Sequence, residues 1–158
     1  MKVREAATDD APAMSCVLQE IVAHSGRQRK TDATFVLSNY VKHPQSVRCT
    51  VAVDEEQRVF GFQSLIRAWP ENPYGVPLDW GIIGTHISPH AHRRGAGSAL
   101  FAATKAAAEM AGLPKIDAFI GADNQAALRY YEAMGFRTYR ELDDVVQKAY
   151  AVESSTRE

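Results

Sequence analysis

Between Asp79 and Ala111 the chain passes from a run with buried-strand character, Asp79 to Ser88, through Pro89 and a short basic turn, into an alanine-rich helix that starts on Gly95 and Gly97. Gly112 stops that helix. A strand that feeds directly into a long helix belongs to a sheet with helices packed on it.

The flanking segments supply the rest of such a sheet. Residues 2–7 read as a short strand. Thr8 offers a helix N-cap, with Asp9 and Asp10 in the first turn, where carboxylates suit the positive helix end. Met14, Val17, Leu18, Ile21 and Val22 recur at helical spacing, and Ser25-Gly26 ends that helix. A second helix is predicted from Asp32 to about Lys42, with Leu37, Tyr40 and Val41 inward and Pro44 as its limit. Val47, Cys49, Val51 and Val53 then alternate with polar or small residues. Glu55-Glu56-Gln57 makes a turn, and Val59 to Arg67 is the return strand. Prolines at 70, 73 and 77 with Gly75 keep the next stretch irregular. Lys115 to Ala122 is predicted as a strand, Gln125 to Met134 as a helix, and Phe136 to about Glu141 and Val145 to about Tyr150 as strands. The fold class is α/β, a mixed and mostly antiparallel central sheet with helices on both faces. One domain is expected over residues 1–152, with a frayed polar tail over 153–158.

Composition narrows the partners. Eighteen Lys and Arg against nineteen Asp and Glu leave a net charge of −1, which argues against a general nucleic-acid or membrane-surface binder. No apolar run is long enough to span a bilayer, and the polar start MKVREAATDD has no signal-peptide stretch. Cys16 and Cys49 sit in apolar patterns, so neither a disulfide framework nor a metal site is expected. These features predict a soluble, reduced, cytoplasmic protein.

The glycine turn carries the first chemical signal. Free backbone N–H groups at a helix start donate to anions, glycines let the backbone approach a phosphate closely, and Arg93 and Arg94 add positive charge. The turn is therefore a candidate phosphate cradle. It is not a dinucleotide fingerprint, because Leu100 stands where a third glycine is needed, and it is not a P-loop. The second signal runs from Asn124 to Phe136, where Ala127, Tyr130, Tyr131 and Met134 share one helical stripe. Taken alone, that stripe reads as packing.

Together the two segments resemble the GCN5-related N-acetyltransferase superfamily. His92-Arg93-Arg94-Gly95-Ala96-Gly97 matches its glycine motif except at the first position, and Asn124 to Phe136 matches its Asn-x-x-Ala-x-x-aromatic-Tyr-Glu-x-x-Gly-Phe motif. The resemblance implies an acetyl-CoA-dependent enzyme. It places the pyrophosphate on the backbone of Arg93, Arg94, Gly95, Ala96, Gly97 and Ser98, and the pantetheine arm along Thr85, His86 and Ile87. The family's Asn and Tyr positions carry over to Asn124 and Tyr131. His92 is the departure, and it weakens side-chain pairing with phosphate.

In the implied chemistry an amine attacks a thioester carbonyl, backbone N–H groups stabilise the oxyanion, and the thiolate leaves. Tyr131 is the expected proton donor, a phenol of pKa about 10 against a thiol of about 8.5, with Tyr130 as its neighbour and fallback. The positions where family members carry a basic Glu or His hold Phe119, Gly81 and Ile83 here. Asp79, His86 and Asp117 remain as candidate bases, and a water chain is the alternative. Trp69, Tyr74 and Trp80 are expected to wall the acceptor site, and the run Arg27-Gln28-Arg29-Lys30 is either a solvated loop or a surface facing an acidic acceptor. The expected acceptor is a small-molecule amine or amino acid. A protein N-terminus or lysine, and a non-catalytic acyl-CoA-binding module, are the competing readings. A homodimer through the edge of the final strand near Val145 is also expected.

Overall fold

The computed structural model describes residues 1–91 and 95–153. The expected tail beyond residue 153 lies outside the described residues, as do His92, Arg93 and Arg94. The strands are β1 (Lys2–Glu5), β2 (Ser46–Val53), β3 (Val59–Arg67), β4 (Gly81–Ile87), β5 (Lys115–Gly121), β6 (Arg137–Glu141) and β7 (Val145–Ala151). They form one sheet in the order β1-β2-β3-β4-β5-β7-β6. Every pairing is antiparallel except β4 with β5.

Helices cover both faces, which suits central strands such as β2 and β3 whose successive residues are buried on either side. On one face lie α1 (Ala11–Ser25) and α2 (Ala33–Val36), which widens into a π turn over Leu37–Val41. Met14, Val17, Leu18, Val36 and Tyr40 pack there on Val51, Val53 and Phe62. On the other face lie α3 (Ala96–Ala111) and α4 (Gln125–Met134), whose Phe101, Ala108 and Tyr131 pack on Leu65, Ile83, Ile116, Ala118 and Ile120. Gly26, Gly112 and Gly135 end α1, α3 and α4 in the left-handed conformation that an L side chain resists.

Four sequence expectations are corrected. The first strand stops at Glu5. Asp10 rather than Thr8 organises the start of α1: its carboxylate accepts from the Ala7 N–H at 2.7 Å and from both Arg4 terminal nitrogens at 2.8 and 2.9 Å. Asp79 is not in the strand; it is exposed, in a turn with φ 75°, and β4 begins at Gly81. The final strand is not an edge. β7 is inserted between β5 and β6, so the edges are β1 and β6, and a dimer cannot form by pairing on β7.

The feature that positions the site is a fork. β4 and β5 pair only at Gly81–Ile116, Ile82–Asp117 and Ile83–Ala118, although β4 runs on to Ile87 and β5 to Gly121. Ser88 N–H donates to Phe60 O at 2.9 Å, on the β3 side. Strand alternation then turns the backbone groups of Gly84 and His86 toward β3, and those of Thr85 and Ile87 into the open fork.

Candidate active site

The fork offers an extended ligand a place to add as a strand, since the N–H and C=O groups of Thr85 and Ile87 have no strand partner there. Beyond it α3 starts at Ala96 with Gly95 as its N-cap. The two glycines of the turn serve different purposes. Gly95 has φ 76°, and a Cβ built on it would meet none of the described residues within 4 Å, so it shapes the turn and leaves space before the helix. A Cβ on Gly97 would lie 2.6 Å from Tyr130 Cε1, so Gly97 is small because the Tyr130 ring packs on the first turn of α3. The first N–H groups of α3, at Ala96, Gly97 and Ser98, have no intrahelical acceptor, which suits an anion. Asn124 caps α4, its Oδ1 accepting from Ala127 N–H at 3.1 Å, and it is exposed on the same end of the sheet.

Between the fork and the helices runs a chain of side-chain hydrogen bonds. Thr104 Oγ1 donates to Gln63 Oε1 at 2.5 Å. The Gln63 amide donates to Thr85 Oγ1 and to the Tyr130 hydroxyl, both at 2.9 Å. Tyr130 in turn donates to Gly97 O at 2.8 Å, and Thr85 Oγ1 lies 2.7 Å from the Tyr131 hydroxyl. Gln63 and Thr104 are fully buried. Sequence reading passed over both. The available signal was polarity at buried stripe positions: Thr104 shares the stripe of Leu100 and Ala108, and Gln63 lies between Phe62 and Leu65, where a polar group must find a partner.

Donor counting gives the chain a direction. Both amide protons of Gln63 are used, and the Tyr130 proton is committed to Gly97 O. Thr85 Oγ1 accepts from Gln63 and keeps one proton and one lone pair, so either hydroxyl can donate in its contact with Tyr131; with Thr85 as the donor, the Tyr131 proton faces no acceptor among the described residues. Burial pushes the Tyr130 phenol up to about 12 and raises that of Tyr131 further, with the Thr85 contact acting the other way. Tyr131 packs on Tyr130 and Phe136 with ring centroids 5.0 and 5.1 Å apart.

On the opposite face, where the fork opens, lies a cavity of about 460 Å³. Ile83, Gly84 and His86 of β4 and Phe119 of β5 form its floor, and Trp69 and Tyr74 wall it. The irregular loop over residues 69–77 is ordered by Asn72. Its Nδ2 donates to Trp69 O and Val76 O, both at 2.9 Å, and its Oδ1 accepts from Tyr74 N–H at 3.1 Å and Val76 N–H at 3.0 Å. Arg140 Nη2 and Gln147 Nε2 also bind Tyr74 O, at 2.9 and 3.1 Å, tying the loop to β6 and β7.

The candidate residues thus separate. Thr85, Ile87, Gly95, Ala96, Gly97, Ser98 and Tyr131 converge on the fork and its helix, and Trp69 and Tyr74 on the cavity; His86 does not join the fork, since its backbone turns to β3 and its ring to the cavity. Trp80 does not line the cavity; it packs on Tyr139 and under Lys115. Asp79 faces solvent, 3.9 Å from Arg67. His86 lies between the rings of Tyr40 and Phe62, where burial lowers its pKa to about 3. Asp117 is fully buried. Its Oδ1 accepts from Tyr139 at 2.7 Å and Gln147 at 3.1 Å, Oδ2 has no partner, and burial raises its pKa to about 6.

Comparison with known structures finds the same architecture elsewhere. A phosphinothricin acetyltransferase from Sinorhizobium meliloti in complex with acetyl-CoA is 17% identical, with a TM-score of 0.77 over 99% of this chain and 91% of that one. A GCN5-related N-acetyltransferase from Kribbella flavida is 22% identical, with a TM-score of 0.75 over 95% and 96%. A ribosomal-protein-alanine N-acetyltransferase from Brucella melitensis is 17% identical, with a TM-score of 0.75 over 96% and 99%. At such identities the likeness is one of fold, and no curated protein sequence matches the chain. The sequence model of the acetyltransferase (GNAT) family matches residues 12–136, which span the glycine turn, the fork and the α4 motif. The chain therefore belongs to the acetyltransferase (GNAT) family.

Proposed function

We propose that this chain transfers an acetyl group from acetyl-CoA to the amine of a small molecule or amino acid. The observation that supports it best is the aromatic cavity that opens onto the fork at Ile83, Gly84 and Phe119 and is covered by the loop held by Asn72. The open backbone of Thr85 and Ile87, the free space at Gly95 and the first N–H groups of α3 fit an acyl-CoA arm and its pyrophosphate. Acetyl-CoA supplies the acetyl group as an activated thioester. Thr85 N–H, the first open donor past the fork, would stabilise negative charge developing on the thioester oxygen. Tyr131 would hold its proton and donate it as a hydrogen bond to charge developing on sulfur. Its raised pKa makes complete transfer less favourable than for a phenol in water.

None of the three candidate bases read from the sequence is an effective base, and burial also weakens His43 at the cavity wall. His86 lines the cavity, yet a pKa of about 3 leaves it neutral and weakly basic. Asp117 and Asp79 do not line the cavity. The acceptor amine therefore reaches its neutral form by losing a proton to water. We further propose that the protein acts in the cytoplasm as a homodimer whose contact lies away from β7, which light scattering tests.

Thiol titration of released CoA tests the reading across small amines, amino acids and short peptides. Turnover with small amines is expected. Turnover with peptide N-termini or lysines alone would replace the acceptor class; the Brucella neighbour is named for an alanine of a ribosomal protein. Binding of acetyl-CoA without any turnover would make the chain a binding module.

A further inference from the structure

The loop between α1 and α2 carries two arginines with different fates. Arg27 Nη2 pairs with Asp123 Oδ1 at 2.6 Å, which ties the loop to the turn before α4. Arg29 lines the cavity. Its Nη2 donates to the Tyr40 hydroxyl at 2.6 Å, its Nε donates to Lys30 O at 3.2 Å, and its guanidinium lies 5.8 Å from the Phe35 ring centroid. Among the described residues no carboxylate pairs with it.

Among the described residues the rest of the wall contains no compensating charge, and no Asp or Glu lines the cavity. Its two histidines, His43 and His86, both have lowered pKa values, chiefly through burial, so both are neutral near pH 7. The remaining lining is neutral polar and apolar, with Trp69, Tyr74 and Phe119 presenting ring surface. A cavity with one fixed positive charge and no negative one repels a polycationic acceptor. It attracts a molecule that presents an anion to the guanidinium and an apolar body to the rings.

We propose that the acceptor carries a carboxylate that pairs with Arg29, so that the substrate class is an amino acid with an apolar side chain. This rests on the small-amine reading above. It also separates the acceptor from a peptide N-terminus, whose first residue has an amide where a free amino acid has its carboxylate.

The test uses matched sets: phenylalanine, phenylalaninamide and 2-phenylethylamine, and leucine, leucinamide and 3-methylbutylamine. The intact protein should give the amino acids the lowest KM. Arg29→Gln should raise the amino-acid KM relative to that of the matched amide by about 10- to 100-fold, the range for a charge-assisted hydrogen bond. Arg29→Lys, which keeps the charge and loses the fork of donors, should fall between. Calorimetry with 3-phenylpropionate, which has no amine to acetylate, gives a readout independent of turnover. It should bind the intact protein more tightly than 3-phenylpropionamide does and lose that advantage in Arg29→Gln. Equal use of acids and amides, unaltered in Arg29→Gln, would overturn the carboxylate assignment and leave the acetyltransferase reading in place. Binding of 3-phenylpropionate through Arg29 with no amine acetylated would do the reverse. Absence of both would overturn both.

Discussion

At the scale of single residues, Gly95 and Gly97 look equivalent in the sequence and are not equivalent in the molecule. Gly95→Glu meets open space, so its main effect should be on the ligand. Stability should fall by about 1–2 kcal/mol for the left-handed backbone, and acetyl-CoA binding should be lost because a carboxylate occupies the anion position. Gly97→Ala already collides with the Tyr130 ring and should destabilise by about 1–3 kcal/mol. Calorimetry and thermal denaturation of the two variants separate these effects, and full acetyl-CoA binding by Gly95→Glu would remove the cradle. Asp117 gives a pH signature. Its folded pKa of about 6 lies above the usual carboxylate value, so the folded state holds the proton more tightly than the unfolded one. Stability from this group is present below pH about 4 and lost as pH rises to about 6, on the order of 2–3 kcal/mol. The stability of wild type relative to Asp117→Asn should fall across that window in urea denaturation. A constant difference would contradict the assignment. Catalysis should behave otherwise: without a side-chain base, kcat/KM should climb with pH toward the amine's own pKa, and an inflection near pH 6–7 would reveal a base among the side chains.

Elements were legible in the sequence where a local rule decides them. The alternation in β2, the stripe of α4 and the glycine stops of α1 and α3 all depend on neighbours a few residues apart. What depended on distant partners was not legible. Asp79 extends a strand by pattern, yet its backbone turns to φ 75° before β4 begins. The α1–α2 loop reads as a basic run, and only the fold separates Arg27, on Asp123, from Arg29, in the cavity. The loop over 69–77 reads as irregular because of its prolines, and nothing local shows that Asn72 fills all four of its hydrogen-bonding positions inside it. Asn72→Ala should leave those backbone groups unpaired and cost about 1–3 kcal/mol. It should also raise the acceptor KM while leaving acetyl-CoA affinity near wild type. Calorimetry showing an equal loss of acetyl-CoA affinity would mean that the loop belongs to the cofactor site instead.

At the scale of the whole molecule, the sheet is continuous except at one place, and the candidate site residues gather there. β4 and β5 come together for three residue pairs and then part. The family motif supplied the two helices that border the fork, while insertion of β7 beside β5 came from long-range pairing that no short pattern encodes. One face of the fork holds the Gln63-Thr85-Tyr131 chain and the other the aromatic cavity, so a donor and an acceptor can meet between them. The most direct test is the turnover of Tyr131→Phe with any amine that the wild type accepts, set beside its affinity for acetyl-CoA. Removing the hydroxyl keeps the ring against Phe136, so folding and acetyl-CoA binding should persist while kcat falls by about 10²- to 10³-fold. Wild-type turnover in a folded Tyr131→Phe would contradict the assignment and return the tyrosine to the packing of α4.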